Sequence, residues 1–382
     1  AMIHADGGGT VNMRNNNAMG LLFCNMHDEA LRDLTAARAF GSVPFGGRYR
    51  LIDFTLSNMV NAGISKVGLI TKKNVQSLMD HLGSGKAWDL SRKNQGLFFL
   101  SPGSTNDEMY AGRIASLAEI EVFLHNSKEE YVVMSDCHVV GNIDYDAIVE
   151  THVETGADIT IAYKRGTVPA LQDNLLLWTK EDGRVTDIVI NSKPGEEGAF
   201  GLGLYVLRKD LLMRIVSACL GRNYHSFERD VLQRQVESLR LYGYEVPEYT
   251  MVISSLGSFF EANMALLRAE VRAQLFVSTR PVYTKVRDCA PALYGLHAAV
   301  SHSLLADGCR VDGVVKNSIV FRDVNIGRDA HVENCLVMQG TTIGANASMH
   351  YVIMDKDVTI DEGRTLQGCS SYPIFIGKGS VI

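Results

Sequence analysis

The sequence lacks a long hydrophobic run. No stretch of its 382 residues approaches the roughly 20 consecutive apolar residues that a membrane-spanning helix needs, and no short apolar run near the N-terminus is followed by a small-residue cleavage site. A surplus of basic residues is missing too, since 37 Lys and Arg stand against 43 Asp and Glu, a net charge of −6. We therefore predict a cytoplasmic protein that binds neither a membrane nor nucleic acid through a broad basic surface.

Cysteine is scarce and dispersed. Seven cysteines occur singly, with no C-x-x-C pair among them: Cys24, Cys137, Cys219, Cys289, Cys309, Cys335 and Cys369. An odd, scattered set in a chain of this length predicts reduced structural thiols rather than disulfides or a redox pair. The eleven histidines are scattered as well, so the spacing predicts no metal site built from His and Cys.

Between about residues 19 and 280, short β-rich runs alternate with helical patterns. The predicted strands are Gly68–Thr71, Tyr131–Ser135, Asp158–Tyr163, Val185–Ile190, Gly203–Leu207 and Tyr249–Ser254. The predicted helices are Val75–Leu82, Tyr145–Glu154, Lys209–Cys219 and Phe259–Leu275. This alternation predicts an α/β domain with a mostly parallel sheet, whose ligands bind at the carboxyl ends of the strands.

Residues 1–18 combine a glycine run with an asparagine run and show no apolar periodicity. We interpret them as a tag or a disordered extension. The run Gly7–Thr10 resembles a phosphate-binding loop only in composition, because no strand precedes it and no helix follows it.

After Pro281 the sequence becomes an internal repeat of 17 residues. Three columns of apolar residues keep this spacing: Cys309, Ile326, Ile343 and Ile360; Val315, Val332, Met349 and Leu366; and Val320, Val337 and Met354. Small or turn-forming residues recur in step at Asp312, Asp329, Asn346 and Gly363. Three short apolar edges per coil predict a left-handed parallel β-helix of hexapeptide repeats over residues 281–382.

Two segments of the first domain carry a specific resemblance. Pro44–Phe54 reads PFGGRYRLIDF and continues as TLSNMVNAGI, and His81–Leu90 reads HLGSGKAWDL. Both resemble ADP-glucose pyrophosphorylase, also called glucose-1-phosphate adenylyltransferase, and the similarity runs from about Leu21 to the C-terminus. The resemblance implies a Rossmann-like, GT-A-like nucleotidyltransferase domain before the β-helix. It also implies a reaction in which ATP and glucose 1-phosphate form ADP-glucose and pyrophosphate with the help of Mg²⁺.

The resemblance fails at the positions that carry this chemistry. The family's loop GGxGTRLxPLT aligns with Asn25–Thr35, where the family's arginine is replaced by Ala30. The family's catalytic lysine corresponds to Phe40. Of its two metal-binding carboxylates, the first corresponds to Asp136 and is kept, whereas the second corresponds to Val252. We therefore predict no complete catalytic or metal site, with Asp136 as a vestige of one.

The substrate-binding positions are also altered. Asp28 and Glu29 add negative charge to a loop where an active relative faces an anionic ligand. The family's GTADAV segment reads GRIASL at residues 112–117, and Ser192 replaces a glutamate. The next residue, Lys193, matches the family's sugar-phosphate lysine and is our substrate-binding candidate.

These losses together predict a regulatory, catalytically impaired subunit. The resemblance implies that such a chain pairs with a catalytic subunit in a hetero-oligomer, which we expect to be a tetramer, and raises its activity or alters its response to effectors. We expect no cofactor for this chain alone. Arg38 and Arg48 lie near the region where the family binds phosphorylated effectors, so they are our candidate contacts for a sugar phosphate or another anion.

Three other functions stay open at this stage. One is a weakly active adenylyltransferase that uses Asp136 and Lys193 with a displaced metal ligand. A second is a sugar-phosphate sensor that acts alone. The third is a β-helix acyltransferase with a histidine facing a cleft between subunits, for which His331 and His350 are available.

Overall fold

The computed structural model of the chain describes residues 17–93, 95–101 and 112–382. Most of the predicted N-terminal extension, including Gly7–Thr10, lies outside the described residues. No helix within these ranges combines the length and the apolar character needed to cross a membrane.

The first part of the chain alternates strands with helices, as predicted. Its strands are β1 (Ala18–Phe23), β2 (Pro44–Phe45), β3 (Tyr49–Arg50), β4 (Lys66–Ile70), β5 (Gly96–Leu100), β6 (Tyr131–Asp136), β7 (Val139–Gly141), β8 (Ile159–Thr167), β9 (Leu175–Thr179), β10 (Val185–Ile190), β11 (Glu197–Arg208), β12 (Leu241–Glu245) and β13 (Thr250–Val252). Its α-helices are α1 (Arg32–Thr35), α2 (Leu51–Asn61), α3 (Gln76–Leu82), α4 (Arg113–Glu119), α5 (Glu121–His125), α6 (Tyr145–Thr155), α7 (Lys209–Leu220), α8 (Leu256–Ala265) and α9 (Ala269–Leu275).

The main sheet brings two chain segments together at its carboxyl edge. Its strands run in the order β10-β9-β11-β6-β1-β4-β5, with β8 paired to β11 and β12. The stretch β6-β1-β4-β5 is parallel, whereas β11 runs antiparallel to β6 and β8. Phe23 at the end of β1 pairs with Asp136 at the end of β6. The loop that follows β1 and the residues that follow β6 therefore leave the sheet side by side.

One predicted helix is divided in the structure. The pattern over Phe259–Leu275 predicts a single helix, but the chain forms α8 and α9 with a break between them. Arg268 has extended backbone angles at this break (φ −82°, ψ 129°). The Arg272 guanidinium donates hydrogen bonds to the carbonyl oxygens of Leu266 and Leu267 at 2.7 and 2.9 Å. These bonds satisfy carbonyl groups at the end of α8. The last carbonyl groups of a helix have no partner within the helix and need one from elsewhere.

The second part of the chain is the β-helix predicted by the 17-residue repeat. Its strands form three parallel sheets of five strands each. They are β14 (Leu293–Tyr294), β15 (Ala299–Ser301), β16 (Leu304–Leu305), β17 (Arg310–Val311), β18 (Val314–Lys316), β19 (Ile319–Val320), β20 (Asn325–Ile326), β21 (His331–Glu333), β22 (Leu336–Val337), β23 (Thr342–Ile343), β24 (Ser348–His350), β25 (Val352–Met354), β26 (Thr359–Ile360), β27 (Thr365–Gln367) and β28 (Ile374–Ile376).

The repeated residues have the roles that their spacing predicts. The apolar columns point into the coil and are buried, apart from Leu366, which is half-buried. Three of the turn residues, Asp329, Asn346 and Gly363, have positive φ angles of 55°, 58° and 72°. Glycine, aspartate and asparagine tolerate this left-handed conformation better than other residues. The corner residues therefore allow the chain to change direction between sheets.

The two parts of the chain are tied together through α2. Between α9 and β14 the chain has no regular structure. Within this segment the Thr284 hydroxyl donates to the buried Asp53 carboxylate at 2.6 Å, and the Tyr283 amide donates to the Ser57 hydroxyl at 2.8 Å. Residues 281–285, which the sequence analysis assigns to the β-helix, thus contact the α/β domain, whereas Ala290 already accepts a hydrogen bond from Gly308 of the β-helix.

Candidate functional site

A cavity of about 170 Å³ opens at the carboxyl edge of the parallel strands. Residues from the loop after β1, the start of α4, the end of β6 and the middle of β11 line it. They include Asn25, His27, Lys72, Arg113, Asp136, His138, Asn174, Gly203, Tyr205 and Glu228. Ligands of parallel α/β sheets bind at this edge, so we take this cavity as the candidate functional site.

A buried ion-pair cluster closes the floor of the cavity. Arg113 donates to both carboxylate oxygens of Asp136, from Nη1 to Oδ1 at 2.9 Å and from Nη2 to Oδ2 at 3.1 Å. Its Nε and Nη2 also donate to Oε1 of Glu228 at 3.1 and 3.0 Å. The Arg113 and Asp136 side chains are each only 2% exposed. The guanidinium thus binds both oxygens of Asp136, the residue that the resemblance matches to a metal-binding carboxylate of the family.

The charges in this cluster stabilise one another. Burial disfavours ionisation of Asp136, but the Arg113 guanidinium and a 3.1 Å hydrogen bond with His27 Nε2 outweigh it and hold the pKa of Asp136 well below its usual range. Burial likewise opposes the charge on Arg113, and Asp136 and Glu228 overcome it and raise the pKa of Arg113. Because the pKa of Asp136 is depressed on folding, this interaction stabilises the protein above the unfolded pKa of about 4 and is lost only as the pH falls well below it.

The loop after β1 is built around an internal carboxylate. Asp28 begins a short 3-10 turn, and its Oδ1 accepts a hydrogen bond from the Phe40 amide at 2.9 Å. Its Oδ2 accepts another from the Asn25 side chain at 2.8 Å. Burial raises the pKa of Asp28 against the effect of these hydrogen bonds. The resemblance implies a loop whose glycine amides approach phosphate, whereas here the Phe40 amide next to the loop donates to the protein's own Asp28.

The other altered positions have become structural. Phe40 is 1% exposed and belongs to the apolar core. Val252 lies on β13 and pairs with Val139, and Ala30 is half-buried against the core. The retained Lys193 is exposed in a turn and is not among the residues that line the cavity, which takes its lysine from Lys72 instead. Substrate binding by Lys193 therefore stays a prediction without support from the geometry of the cavity.

The site also contains two histidines that the sequence analysis does not select. His27 and His138 lie with ring centroids 4.2 Å apart, and together with Asp136 they form a group whose potential ligand atoms all lie within 4.8 Å of one another. Burial, together with the neighbouring His27, lowers the pKa of His138 to about 3, so its ring is neutral. The only signal in the sequence is that His138 follows a strand end by two residues, whereas His27 is 111 positions away.

A second, strongly basic cleft lies between the two domains. It is lined by the cationic side chains Arg48, Arg50, Arg287, Arg322 and Lys356. Burial and the nearby arginines lower the pKa of Lys356 to about 7, and the buried Nε of Arg322 has no hydrogen-bond partner. The candidate Arg48 lines this cleft, and its role as an anion contact stays a prediction.

The other anion candidate, Arg38, is engaged elsewhere. It forms two parallel hydrogen bonds with Asp355 of the β-helix, from Nη1 to Oδ1 at 2.8 Å and from Nη2 to Oδ2 at 2.9 Å. Both side chains are 3% exposed, and Arg38 is not among the residues that line the basic cleft. Its charge is therefore neutralised inside the domain interface.

Comparisons with known proteins agree with this architecture. Residues 29–269 match the family described as Nucleotidyl transferase, and residues 293–368 match the GlmU-like, C-terminal hexapeptide family. The chain is 34% identical to the glycogen biosynthesis protein GlgD of Bacillus subtilis, over 97% of this chain and 98% of that protein. It is 37% identical to GlgD of Geobacillus stearothermophilus, over 96% and 98%, and 28% identical to the glucose-1-phosphate adenylyltransferase of Bacillus mycoides, over 91% and 94%. The chain therefore belongs to the nucleotidyl transferase family, in which its relatives include GlgD proteins and glucose-1-phosphate adenylyltransferases.

Proposed function

We propose that this chain is a regulatory, catalytically impaired subunit that acts in glycogen biosynthesis by tuning a catalytic glucose-1-phosphate adenylyltransferase. One observation carries the proposal: the Arg113 guanidinium covers both oxygens of Asp136, the retained carboxylate of the family's metal site. The names of the relatives support the pathway and the link to the adenylyltransferase reaction.

The family generally uses Mg²⁺, and the residues present do not fit that ion. Mg²⁺ requires oxygen ligands in near-octahedral geometry. Here Asp136 is paired with Arg113, the second carboxylate position is Val252, and the remaining polar neighbours of Asp136 in the cavity include the imidazoles of His27 and His138. A buried guanidinium already supplies the positive charge that a metal would bring. We therefore assign no magnesium-dependent step to this chain.

The groups that would stabilise a leaving pyrophosphate are also missing. Transfer of a nucleotidyl group depends on positioning and on cations around the phosphates. The lysine position holds a buried phenylalanine, Phe40, and the arginine position holds Ala30. Asp28 places a carboxylate in the loop that would otherwise face the triphosphate. Removal of a single charge-stabilising donor typically lowers the rate 10²–10³-fold, and several are absent here.

The first coil of the β-helix supports a role in assembly. Its strands β14, β15 and β16 each pair with a strand on one side only, within the described residues. Large apolar side chains are exposed on and next to these strands, with Leu293 63% exposed and Leu296 99% exposed. Unpaired strand edges with apolar side chains are surfaces that partner chains cover. We propose that the catalytic subunit covers this coil in a hetero-oligomer.

A three-way assay tests the proposed function. We expect the purified chain alone to form ADP-glucose at least about 10³-fold more slowly than a catalytic glucose-1-phosphate adenylyltransferase from the same source, because metal, arginine and lysine positions are lost together. We expect the mixture to exceed the catalytic chain alone, or to respond differently to phosphorylated effectors, and the two chains to co-elute in gel filtration.

Specific outcomes would contradict the proposal. Robust ADP-glucose formation by the lone chain would establish an active enzyme. A mixture with unchanged rate and effector response, and with separate elution of the two chains, would favour a stand-alone sensor. A variant with Leu293→Ser and Leu296→Ser supplies the matched test of assembly, with Val122→Ser, another exposed apolar residue, as its control.

We further propose that the basic cleft binds an anionic effector. The pH dependence of anion binding tests this proposal. Lys356 has a pKa of about 7, so it is charged below that pH and neutral above it. We expect sulfate, whose charge is constant over this range, to bind about tenfold more weakly at pH 9 than at pH 6. That is the effect of losing one charge-assisted hydrogen bond. Isothermal titration calorimetry at several pH values measures it.

Two variants make this measurement specific. Lys356→Met removes the titrating group and is expected to flatten the pH dependence of sulfate affinity. Lys180→Met removes an exposed lysine outside the cleft and is expected to leave the dependence unchanged. If the sulfate affinity of Lys356→Met keeps the wild-type dependence on pH, another group controls anion binding.

A further inference from the structure

The cluster of His27, Asp136 and His138 offers a different kind of ligand set from the one that the family uses. One ring nitrogen from each histidine and one carboxylate oxygen lie within 4.8 Å of one another, and His27 Nε2 is 3.1 Å from Asp136 Oδ2. Among the residues that the structure describes, this is the only such group of three. Two imidazoles and one carboxylate form a ligand set that suits Zn²⁺ and related transition-metal ions, whereas Mg²⁺ and Ca²⁺ prefer oxygen.

The protein leaves room at this point that another residue would fill. Gly203 has a φ of 64°, and a Cβ atom at this position would lie 2.6 Å from Asp136 Oδ2 and 3.0 Å from His138 Cε1. The space next to both side chains therefore depends on glycine. It opens toward the cavity, whose lining includes His27, His138 and Gly203, so a bound ion would keep access to solvent.

A buried polar atom in the cluster has no partner. His138 is 2% exposed, and its Nδ1 makes no hydrogen bond. An unsatisfied buried ring nitrogen is unfavourable, and buried polar groups in folded proteins nearly always have a partner. Coordination of an ion is one way to satisfy such a nitrogen, since a neutral imidazole binds metals through either ring nitrogen.

The contacts of Asp136 leave one of its oxygens next to the histidines. Asp136 Oδ2 accepts a hydrogen bond from Arg113 Nη2 at 3.1 Å and also lies 3.1 Å from His27 Nε2. Arg113 holds Asp136 from one side through Oδ1 and Oδ2. Metal-binding carboxylates are commonly oriented by such outer hydrogen bonds, so the pairing that leaves too few oxygens for Mg²⁺ still presents one oxygen to the imidazoles.

From these observations we propose that His27, Asp136 and His138 bind a divalent transition-metal ion of the zinc class. The ion would connect the loop after β1 to the end of β6, residues that are 109 positions apart in the chain. In a tetrahedral zinc site with bonds of about 2.0–2.2 Å, neighbouring ligand atoms lie about 3.3–3.6 Å apart, so small side-chain rotations would bring the three ligand atoms to these distances. Water or an anion from the cavity would complete the coordination.

Metal binding to the lone, full-length chain tests the proposal. After treatment with a chelator and dialysis, we expect the protein to bind one Zn²⁺ per chain in competition with a chromophoric chelator, and to keep it in the presence of excess Mg²⁺. Co²⁺ in place of Zn²⁺ is expected to give visible absorption bands typical of a four- or five-coordinate site. Zn²⁺ is also expected to raise the melting temperature, because a ligand that binds only the folded state stabilises it.

Variants assign the site to these residues. His27→Gln, at a side chain that is 14% exposed, is expected to weaken Zn²⁺ binding about tenfold or more, since even outer-shell changes have effects of this size. His138→Gln is expected to do the same, and circular dichroism checks that this buried variant folds. His125→Gln, at an exposed histidine elsewhere in the α/β domain, is the matched control.

The result that would overturn the proposal is also clear. If the wild-type chain takes up no stoichiometric Zn²⁺, or if His27→Gln binds Zn²⁺ as tightly as His125→Gln does, these residues are not a metal site. Neither result depends on a partner chain or on ADP-glucose formation, so this test and the test of the regulatory function can fail independently.

Discussion

Replacing Arg113 with methionine is expected to lower the free energy of unfolding by about 3–5 kcal/mol, the usual result of removing one partner from a buried ion pair. Methionine fills a similar length but cannot donate hydrogen bonds. The carboxylates of Asp136 and Glu228 would then face each other in a buried site without a cation between them. Urea denaturation followed by circular dichroism measures the loss.

Neutralising the two carboxylates as well shows whether the loss of stability comes from buried charge or from the changed shape of the side chain. In the triple variant Arg113→Met, Asp136→Asn, Glu228→Gln, no uncompensated charge is left, and we expect most of the lost stability to return, because buried ion pairs can often be replaced by neutral groups of similar volume. Arg165→Met, which breaks an exposed ion pair with Glu245, is the control and is expected to change stability by less than about 1 kcal/mol. Equal effects of Arg113→Met and Arg165→Met would contradict the buried-cluster account.

The cluster makes the floor of the cavity a contact between separate elements. Arg113 at the start of α4 binds Asp136 at the end of β6, so the ion pair joins the two elements. These side chains, which line the cavity, are therefore also expected to contribute to stability.

The β-helix could be predicted from the sequence because its information is local and periodic. Each coil repeats the same inward positions, so four consecutive coils fix the period without knowledge of any contact. The residues at Ile326, Ile343 and Ile360 align in one sheet as their spacing requires. The parallel centre of the α/β sheet could be predicted for a related reason, since strands that are apolar on both faces belong inside a covered sheet.

For the site, the sequence predicts only which functional residues of the family are replaced. The resemblance predicts that Phe40 and Val252 replace functional residues of the family, and the structure places both among apolar neighbours. It does not show what replaces them. Arg113 is 23 positions from Asp136 and 115 from Glu228, and no local pattern connects three residues on separate elements. The same is true of His27 and His138, which are brought together only by the pairing of β1 with β6.

Arg38 illustrates the limit of transferring a role by position. Its place near the family's effector region predicts an anion contact, and it does bind an anion, but that anion is the carboxylate of Asp355 in the same chain. Other cations of the region, among them Arg48 and Lys356, line the cleft beside it. A buried guanidinium 317 positions away from its partner has no signature in the sequence.

Replacing Arg38 with methionine is expected to lower the free energy of unfolding by about 3–5 kcal/mol and to uncouple the two domains, because Asp355 would remain buried without its partner. Both tryptophans of the chain, Trp88 and Trp178, lie in the α/β domain, so fluorescence reports that domain while circular dichroism reports the whole chain. We expect the two unfolding curves to coincide in the wild type and to separate in the variant.

The double variant Arg38→Met, Asp355→Asn tests the origin of this effect. Asparagine keeps the oxygen that accepts a hydrogen bond from the Lys356 amide at 2.7 Å but removes the buried charge, so we expect it to recover much of the stability while the domains stay weakly coupled. Arg32→Met breaks only an exposed ion pair with Glu29 and is the control, with an expected change below about 1 kcal/mol. If Arg38→Met leaves stability and the coincidence of the two curves unchanged, the Arg38–Asp355 ion pair does not couple the domains.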